Sequence, residues 1–337
     1  MTSCNRTLIP GAEYILPLRW VDDSALADLV RYLEALCEWI AVTVVDGSPD
    51  ALFERHTDCF PSAVNHVRPT PGAAGNGKVA AVMTAVRLST AERLVIADDD
   101  VRYTPEGLNA VIAGLDRADI VRPQNYFTTW PWHARWDTSR TLINRAFAGD
   151  FPGTLAVSRA ALQATGGYAP VLFENLELIR TVTAAGGREE QATALFVARN
   201  PPTARHFLRQ RVRQAYDDFA QPGRLVIELI LLPLLTWILC LPGWRRILAL
   251  LCAAATAAAL AESGRRRQHG QEVFPASTSM FAPLWAVERA ICIWMAVALR
   301  CRGGVPYAGT RLKTAGHSLN YLRLQHEGKI RSARPAR

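Results

Sequence analysis

The seven cysteines include no CxxC pair and no matched spacing. This excludes the usual zinc and thiol–disulfide frameworks and leaves free thiols in a reducing compartment as the reading. The opening residues, MTSCNRTLIPGAEY, hold no apolar stretch of signal-peptide length, so the first domain is expected to stay in the cytoplasm. No recognisable nucleic-acid motif accompanies the net charge of +8, and nucleic acid is not an expected partner. Long apolar runs are missing before about residue 224 and prominent after it. Much of the positive excess shares that last third, including Arg245, Arg246, Arg265 to Arg267, Arg300, Arg302, Arg311, Lys313 and Arg323. Basic residues beside apolar runs point to an anionic membrane surface.

The first 220 of the 337 residues alternate short apolar runs with amphipathic ones. EYILPL (13–18), IAVTVVD (40–46), NHV (65–67), RLVIAD (93–98) and DIVRP (119–123) read as strands. ALADLVRYLEALCEWI, GNGKVAAVMTAVRL (75–88) and TPEGLNAVIAGLD read as helices, the last with Pro105 in its first turn. This alternation predicts an α/β, Rossmann-like, mainly parallel sheet with helices on both faces. In such sheets ligands bind beyond the carboxyl ends of the strands. Asp46 and Asp98 each stand at such an end, so both are expected to face one crevice.

RLVIADDDVRY ends a buried strand with Asp98, Asp99 and Asp100. Like charges about 5 Å apart repel by roughly 3 kcal/mol at an effective dielectric near 20. A divalent cation, Mg²⁺ or Mn²⁺, relieves that repulsion, takes oxygen ligands and often holds substrate phosphates too. Side chains alternate along a strand, so Asp98 and Asp100 are expected to work together with Asp99 turned away. The plainer alternative is a solvated loop or a helix cap.

Beyond residue 150 a strand, a short helix and a Gly-Gly turn are read in FPGTLAVSRAALQATGGY, a helix in FENLELIRTVTAAGG, a strand in TALFVA and a basic-to-acidic helix in RQRVRQAYDDFAQP. NYFTTWPWHARWDTSRTL gathers Tyr126, Phe127, Trp130, Trp132 and Trp136; it reads as an acceptor gate facing the bilayer or as a loop packed on the sheet, with His133 structural. LVIELILLPLLTWILCL (225–241) approaches bilayer-crossing length, and ILALLCAAATAAALA (247–261) carries a small-residue face able to pack on it. A hairpin turning at PGWRR is expected. FAPLWAVERAICIWMAVAL (281–299) places Glu288 and Arg289 near its middle, which favours a helix lying in the interface over a third crossing. The expected organisation is a catalytic domain over 1–220, a transmembrane hairpin over 221–262, and over 263–337 a membrane-associated or transmembrane helix with a basic cytoplasmic tail.

VVDGSPD, NGKVAAV, LVIADDDVRYTPEGL, GTLAVSRAALQATGGY and FENLELIR, in that order, resemble family 2 glycosyltransferases of the GT-A fold, over roughly residues 13–220. QRVRQ at 210–214 is similar to the QxxRW motif of membrane-bound members, with Gln210 and Arg213 matching and Gln214 in place of the tryptophan. RGGVPY after the last apolar segment is similar to tails of lipid-glycosylating members. The resemblance implies an inverting transferase that moves a sugar from a nucleotide-diphosphate donor, such as a UDP-sugar, to a lipid or lipid-linked acceptor at the cytoplasmic face of the cell membrane. It implies that Asp46 contacts the nucleotide base or ribose, Lys78 sits near the nucleotide, Asp98 lies against ribose and metal, Asp100 binds the metal, and Gln210 with Arg213 serve the diphosphate. The family's base is the aspartate of a Glu-Asp pair. Here the pair reads Glu174-Asn175, which leaves Glu174, and Glu177 on the same helical face, as candidates. A degenerate nucleotide-sugar binder and a nucleotidyltransferase stay open as alternatives.

Overall fold

A computed structural model describes residues 8–70, 76–307 and 310–333. Cys4, Gly75 and the basic residues of the last four positions lie outside the described residues, as does the first half of the N-terminal stretch read for a signal peptide. Contacts divide the chain into two compact units. One comprises the residues up to Asn125, Pro152–Val197 and the residues from Ser318; the other comprises Tyr126–Phe151 and Ala198–His317.

In chain order the elements of the first part are β1 (Ala12–Leu18), α1 (Leu26–Leu36), β2 (Ala41–Asp46), α2 (Asp50–Cys59), β3 (Val64–Val67), α3 (Gly77–Leu88), β4 (Arg93–Ala97), β5 (Val101–Arg102), α4 (Pro105–Gly114) and β6 (Ile120–Phe127). Then come α5 (Trp132–Phe147), β7 (Thr154–Ser158), α6 (Arg159–Ala164), α7 (Glu174–Ala184), β8 (Glu189–Arg199) and α8 (Ala204–Tyr216). The chain closes with α9 (Pro222–Leu239), α10 (Gly243–Arg266), α11 (Ala282–Cys301), a small antiparallel pair β9 (Val305–Tyr307) and β10 (Thr310–Leu312), and α12 (Leu319–Ala333).

Eight strands form one sheet in the order β3-β2-β1-β4-β7-β6-β8-β5. β3, β2, β1 and β4 run parallel, as expected; β7 then pairs antiparallel with both β4 and β6. The parallel strands read as nearly continuous apolar runs because both of their faces are covered. Tyr14, Leu16, Val44, Val95 and Ala97 join Leu29, Leu33, Leu108 and Ile112 of α1 and α4 in one core. α3 packs on β1 and β2 and buries Val79, Val82, Ala85 and Val86. α1 is helical because Leu26, Leu29, Leu33 and Leu36 recur on a single face. α4 starts where Thr104 accepts the Gly107 N–H at 3.1 Å and Pro105 supplies a preset backbone angle.

The units part at places other than residues 220 and 262, because α5 packs with α10 and α11 while α12 returns to α7. In the second unit the chain turns between α9 and α10 at Pro242–Gly243, where Gly243 takes the positive φ of 52° that glycine tolerates. Pro222–Leu239, Gly243–Glu272 and Ala276–Cys301 are each long and apolar enough to cross a membrane. Glu288 and Arg289 do not pair with one another among the described contacts. Glu288 meets Arg211 of α8 at 3.6 Å, and Arg289 meets Asp218 at 3.0 Å and Glu228 at 3.8 Å. One face of α11 is therefore held by charges of neighbouring helices.

Candidate active site

The acidic stretch is a turn, not a continued strand. β4 stops at Ala97, and the Val101 N–H returns to the Asp98 carbonyl at 3.1 Å. Strand alternation consequently does not orient these side chains, yet neighbours still separate. Asp98 meets Lys78 Nζ at 2.6 Å, while Asp99 accepts a hydrogen bond from the indole of Trp20. Asp98, Asp99 and Asp100 are all partly exposed. Much of the charge crowding is thus met by the protein itself.

Lys78 joins two of the predicted residues. Its ammonium contacts Asp98 at 2.6 Å and Glu174 Oε1 at 2.8 Å. Asn76 caps α3 by accepting the Lys78 N–H at 3.0 Å, and its amide donates to Glu174 Oε2 at 3.2 Å and to the Val171 carbonyl at 3.0 Å. The start of α3 and the start of α7 are bound together in this way. Burial disfavours the Lys78 cation, but Asp98 and Glu174 outweigh it and hold the ammonium well above its ordinary range. Tyr168 stands in the same field: burial pushes its hydroxyl up, Lys78 opposes, and Glu174 and Asp98 add to the rise. Glu174 keeps 12% of its side chain exposed, whereas Glu177 is fully buried.

The acid turn is positioned from behind. The Asp98 N–H donates to the Gly153 carbonyl at 2.8 Å, Asn125 accepts the Gly153 N–H at 2.8 Å, and the Asn175 amide donates to the Pro152 carbonyl at 3.0 Å. Asn175 therefore does something an ionised aspartate cannot: it donates an N–H hydrogen bond to the Pro152 carbonyl. Next to this group a cavity of about 420 Å³ is lined by Met83, Arg87, Tyr168, Thr181, Gln325 and His326, within the range of small-ligand sites.

Asp46 is fully buried at the end of β2. Burial disfavours its charge, but His66, His56 and Ser48 outweigh that and hold the carboxyl well below its ordinary range. His56 Nδ1 lies 2.6 Å and His66 Nε2 3.3 Å from Asp46 Oδ2, and the Ser48 N–H donates to Oδ1 at 2.8 Å. Trp20 links this group to the acid turn: its ring packs edge-on against His56, its N–H donates to Ser48 Oγ at 2.8 Å, and its indole donates to Asp99.

Gln210 and Arg213 lie on α8 in the second unit. Gln210 contacts His206, and the Arg213 guanidinium stands 5.0 Å over the Tyr307 ring. The aromatic segment is largely helical, forming α5 with a cluster of Trp132, Trp136 and Phe207 at centroid distances of 5.6–6.0 Å. His133 contacts the Pro202 carbonyl at 2.7 Å, a structural role as expected. The structure thus unites Asp98, Lys78 and Glu174. Trp20, Asn76, Tyr168, His56 and His66 are additions that spacing did not signal.

Asp98 and Asp100, partly exposed residues of one turn, offer carboxylate oxygens of the kind that a hard divalent cation takes, with Asp100 Oδ1 itself buried. Residues 23–177 match Glycosyl transferase family 2. Among solved structures, the chain is similar to a mannosyltransferase from Pyrobaculum calidifontis crystallised with GDP-Man and Mn²⁺, at 17% identity over 84% of this chain and 86% of that one, with a TM-score of 0.45. It is similar to glucosyl-3-phosphoglycerate synthase from Mycobacterium tuberculosis, crystallised with Mn²⁺, UDP-glucose and phosphoglyceric acid, at 17% over 59% and 76%, TM-score 0.42. It is also similar to mannosyl-3-phosphoglycerate synthase from Rubrobacter xylanophilus, at 18% over 63% and 75%, TM-score 0.40. No curated protein matches the chain. The match over residues 23–177, on a sheet whose first four strands run parallel and carry an acid turn at the end of β4, gives the chain a glycosyltransferase family 2 domain over those residues.

Proposed function

We propose that the chain transfers a sugar with inversion from a nucleotide-diphosphate donor to a lipid or lipid-linked acceptor at the cytoplasmic face of the cell membrane. In this reading residues 1–220 act as the catalytic domain, 221–262 anchor it as a hairpin, and 263–337 hold a helix (281–299) on or in the membrane and a basic cytoplasmic tail, whose α12 packs on α7. The observation that carries the proposal is the Lys78 bridge, which sets Asp98 and Glu174 on either side of one cation. Asp98 and Asp100 would hold Mg²⁺ or Mn²⁺, which when bound draws charge from the leaving diphosphate. The β2–α2 turn serves the nucleoside end of the donor, shaped from beneath by the buried Asp46 through the Ser48 N–H, and Gln210 with Arg213 serve the diphosphate.

Lys78 gives Glu174 a switchable partner. An incoming diphosphate offers the ammonium a second anion, and the Glu174 carboxylate is then released to take the proton of the acceptor hydroxyl. Glu177, fully buried, is the weaker candidate for that step. This reading puts the acceptor in the cavity lined by Tyr168, whose hydroxyl feels the Glu174 carboxylate. The exposed apolar residues of α9 to α11, among them Ile227, Trp237, Leu251 and Ile291, favour a membrane-held acceptor.

The test uses the full chain in native membranes with Mn²⁺ and a panel of nucleotide-sugars led by UDP-sugars. Release of nucleoside diphosphate with an inverted product is expected; released pyrophosphate would mark nucleotidyl transfer instead. Glu174→Gln is expected to cut turnover by about 10²–10⁴-fold, the usual worth of a general base, while Glu177→Gln retains far more. Asp100→Asn is expected to lose metal-dependent turnover while keeping the fold. Unchanged turnover and Mn²⁺ affinity in that variant would sink the proposed site, and an inactive wild type across the panel would favour a degenerate donor-binding protein.

A further inference from the structure

Asp46, His56 and His66 come from three neighbouring elements, β2, α2 and β3, and each offers one ligand atom within 4.8 Å of the others. Asp46 and His56 are fully buried and the His66 side chain is 7% exposed. Both remaining ring nitrogens have acceptors of their own. His56 Nε2 lies 3.0 Å from Asp23 Oδ1, and His66 Nδ1 lies 2.9 Å from Thr57 Oγ1. Thr57 spends its hydroxyl proton on the Phe53 carbonyl at 3.0 Å, so towards His66 it accepts.

These outer contacts suit the tautomers that a bound metal needs. A neutral imidazole carries one N–H and one lone pair. With its N–H turned to Asp23, His56 aims the lone pair of Nδ1 at Asp46 Oδ2. With its N–H turned to Thr57, His66 aims the lone pair of Nε2 at the same oxygen. Three lone pairs then converge on one point inside the protein, as a bound cation requires; without a cation, the two rings turn N–H groups to Asp46 instead. The outer pattern matches the cation: metal-bound histidines donate their other N–H to a carboxylate or a neutral oxygen, and the bound carboxylate is itself hydrogen-bonded, as Asp46 is by the Ser48 N–H.

The geometry points to a transition-metal site at Asp46, His56 and His66, separate from the acid turn at 98–100. Two imidazole nitrogens and one carboxylate oxygen suit Zn²⁺ or a similar borderline ion, and disfavour Mg²⁺, which prefers oxygen. The ion would pin the end of β2 to α2 and β3, beneath the β2–α2 turn and the Trp20 ring. This assignment is independent of which sugar is transferred.

Co²⁺ is the probe, because histidine-ligated cobalt of low coordination number absorbs in the visible far more strongly than cobalt held by oxygen alone. Full-length protein in detergent micelles is stripped with chelator and titrated. One equivalent with an imidazole-ligated spectrum is expected; excess Zn²⁺ should displace it, and excess Mg²⁺ or Asp100→Asn should leave it unchanged. His56→Ala and His66→Ala are each expected to weaken binding at least 100-fold. Thr57→Val, at an exposed position that leaves both ligands in place, is expected to weaken it by about 10–100-fold. A folded wild type that yields no imidazole-ligated equivalent overturns the site, leaving a proton-bridged cluster. Affinity undiminished in the His56→Ala/His66→Ala double variant also overturns it. Should the histidine variants fail to fold, the wild-type spectrum and the Thr57→Val affinity decide.

Discussion

Asn175 shows how one residue can answer to position before chemistry. The sequence analysis marks it as a defect, since an amide cannot accept the proton that an aspartate in a Glu-Asp pair would take. In the fold its amide donates to the Pro152 carbonyl, one residue from Gly153, whose own carbonyl holds the Asp98 N–H. Restoring an aspartate would set a carboxylate against a carbonyl. Asn175→Asp is therefore expected to cost about 1–3 kcal/mol, the penalty of an unmet buried polar group, and not to raise turnover. A denaturant midpoint at or above wild type, or faster transfer, would contradict this. Asp150 offers a second test, through pH. Burial works against its charge, but Arg140, Thr141 and Asn144 outweigh it and hold the carboxyl below its ordinary 3.8. A depressed folded value means its stabilisation is complete above 3.8 and is lost as pH falls through the folded value. The gap in unfolding free energy between wild type and Asp150→Asn should accordingly narrow as pH drops below 3.8; a gap that widens with acid would refute the assignment. Asp98 stood out in the sequence as one of three acids in a row at a strand end, a pattern that a solvated loop or helix cap also explains. The Lys78–Glu174 contact was not legible, since it joins positions 96 apart and only the fold brings α3 to α7.

Among the elements, those buried on two faces were readable and those buried through polar groups were not. β1, β2 and β4 are apolar runs bounded by turn residues, and α1 carries a stripe of leucines. α2 buries only His56, so no stripe marks it. α5 turns His133, Thr138, Ser139, Thr141 and Arg145 inward alongside Ala134 and Leu142, and its inward face looks like a surface loop on paper. α11 is the opposite case: its apolar length was plain, but the partners of its charged pair were hidden. Arg289 is fully buried against Asp218 and Glu228, and Arg224 meets the same two acids at 3.0 and 2.9 Å. Breaking one partner of such a group strands the rest, at a cost of about 3–5 kcal/mol. Arg289→Met is expected to lower stability by that order in detergent, and a second change, Glu228→Gln, to restore part of it. Full additivity of the two losses in a double-mutant cycle would show that they do not act on one another.

At the scale of the whole chain, the question is whether attachment to the bilayer is electrostatic or hydrophobic. The net charge of +8 favours an anionic surface, but surface attraction is screened within about 3 Å at 1 M salt. The helices add something salt does not reach. Val226, Ile227, Ile230, Trp237, Trp244, Ile247 and Leu251 are exposed on α9 and α10, where water would meet each of them. Burying one such aliphatic side chain is worth roughly 1.5–3 kcal/mol, so a handful exceeds what a basic tail contributes at about 1 kcal/mol per residue near the surface. The chain is therefore expected in the membrane fraction, retained through a wash at 1 M salt and released only by detergent. Replacing Ile227, Ile230 and Leu251 together with glutamine should shift it toward salt-extractable behaviour without disturbing the sheet, whose strands lie elsewhere in the sequence. Quantitative release of the wild type by salt alone would assign attachment to the charges and remove the hydrophobic anchor from the account of how this enzyme meets its acceptor.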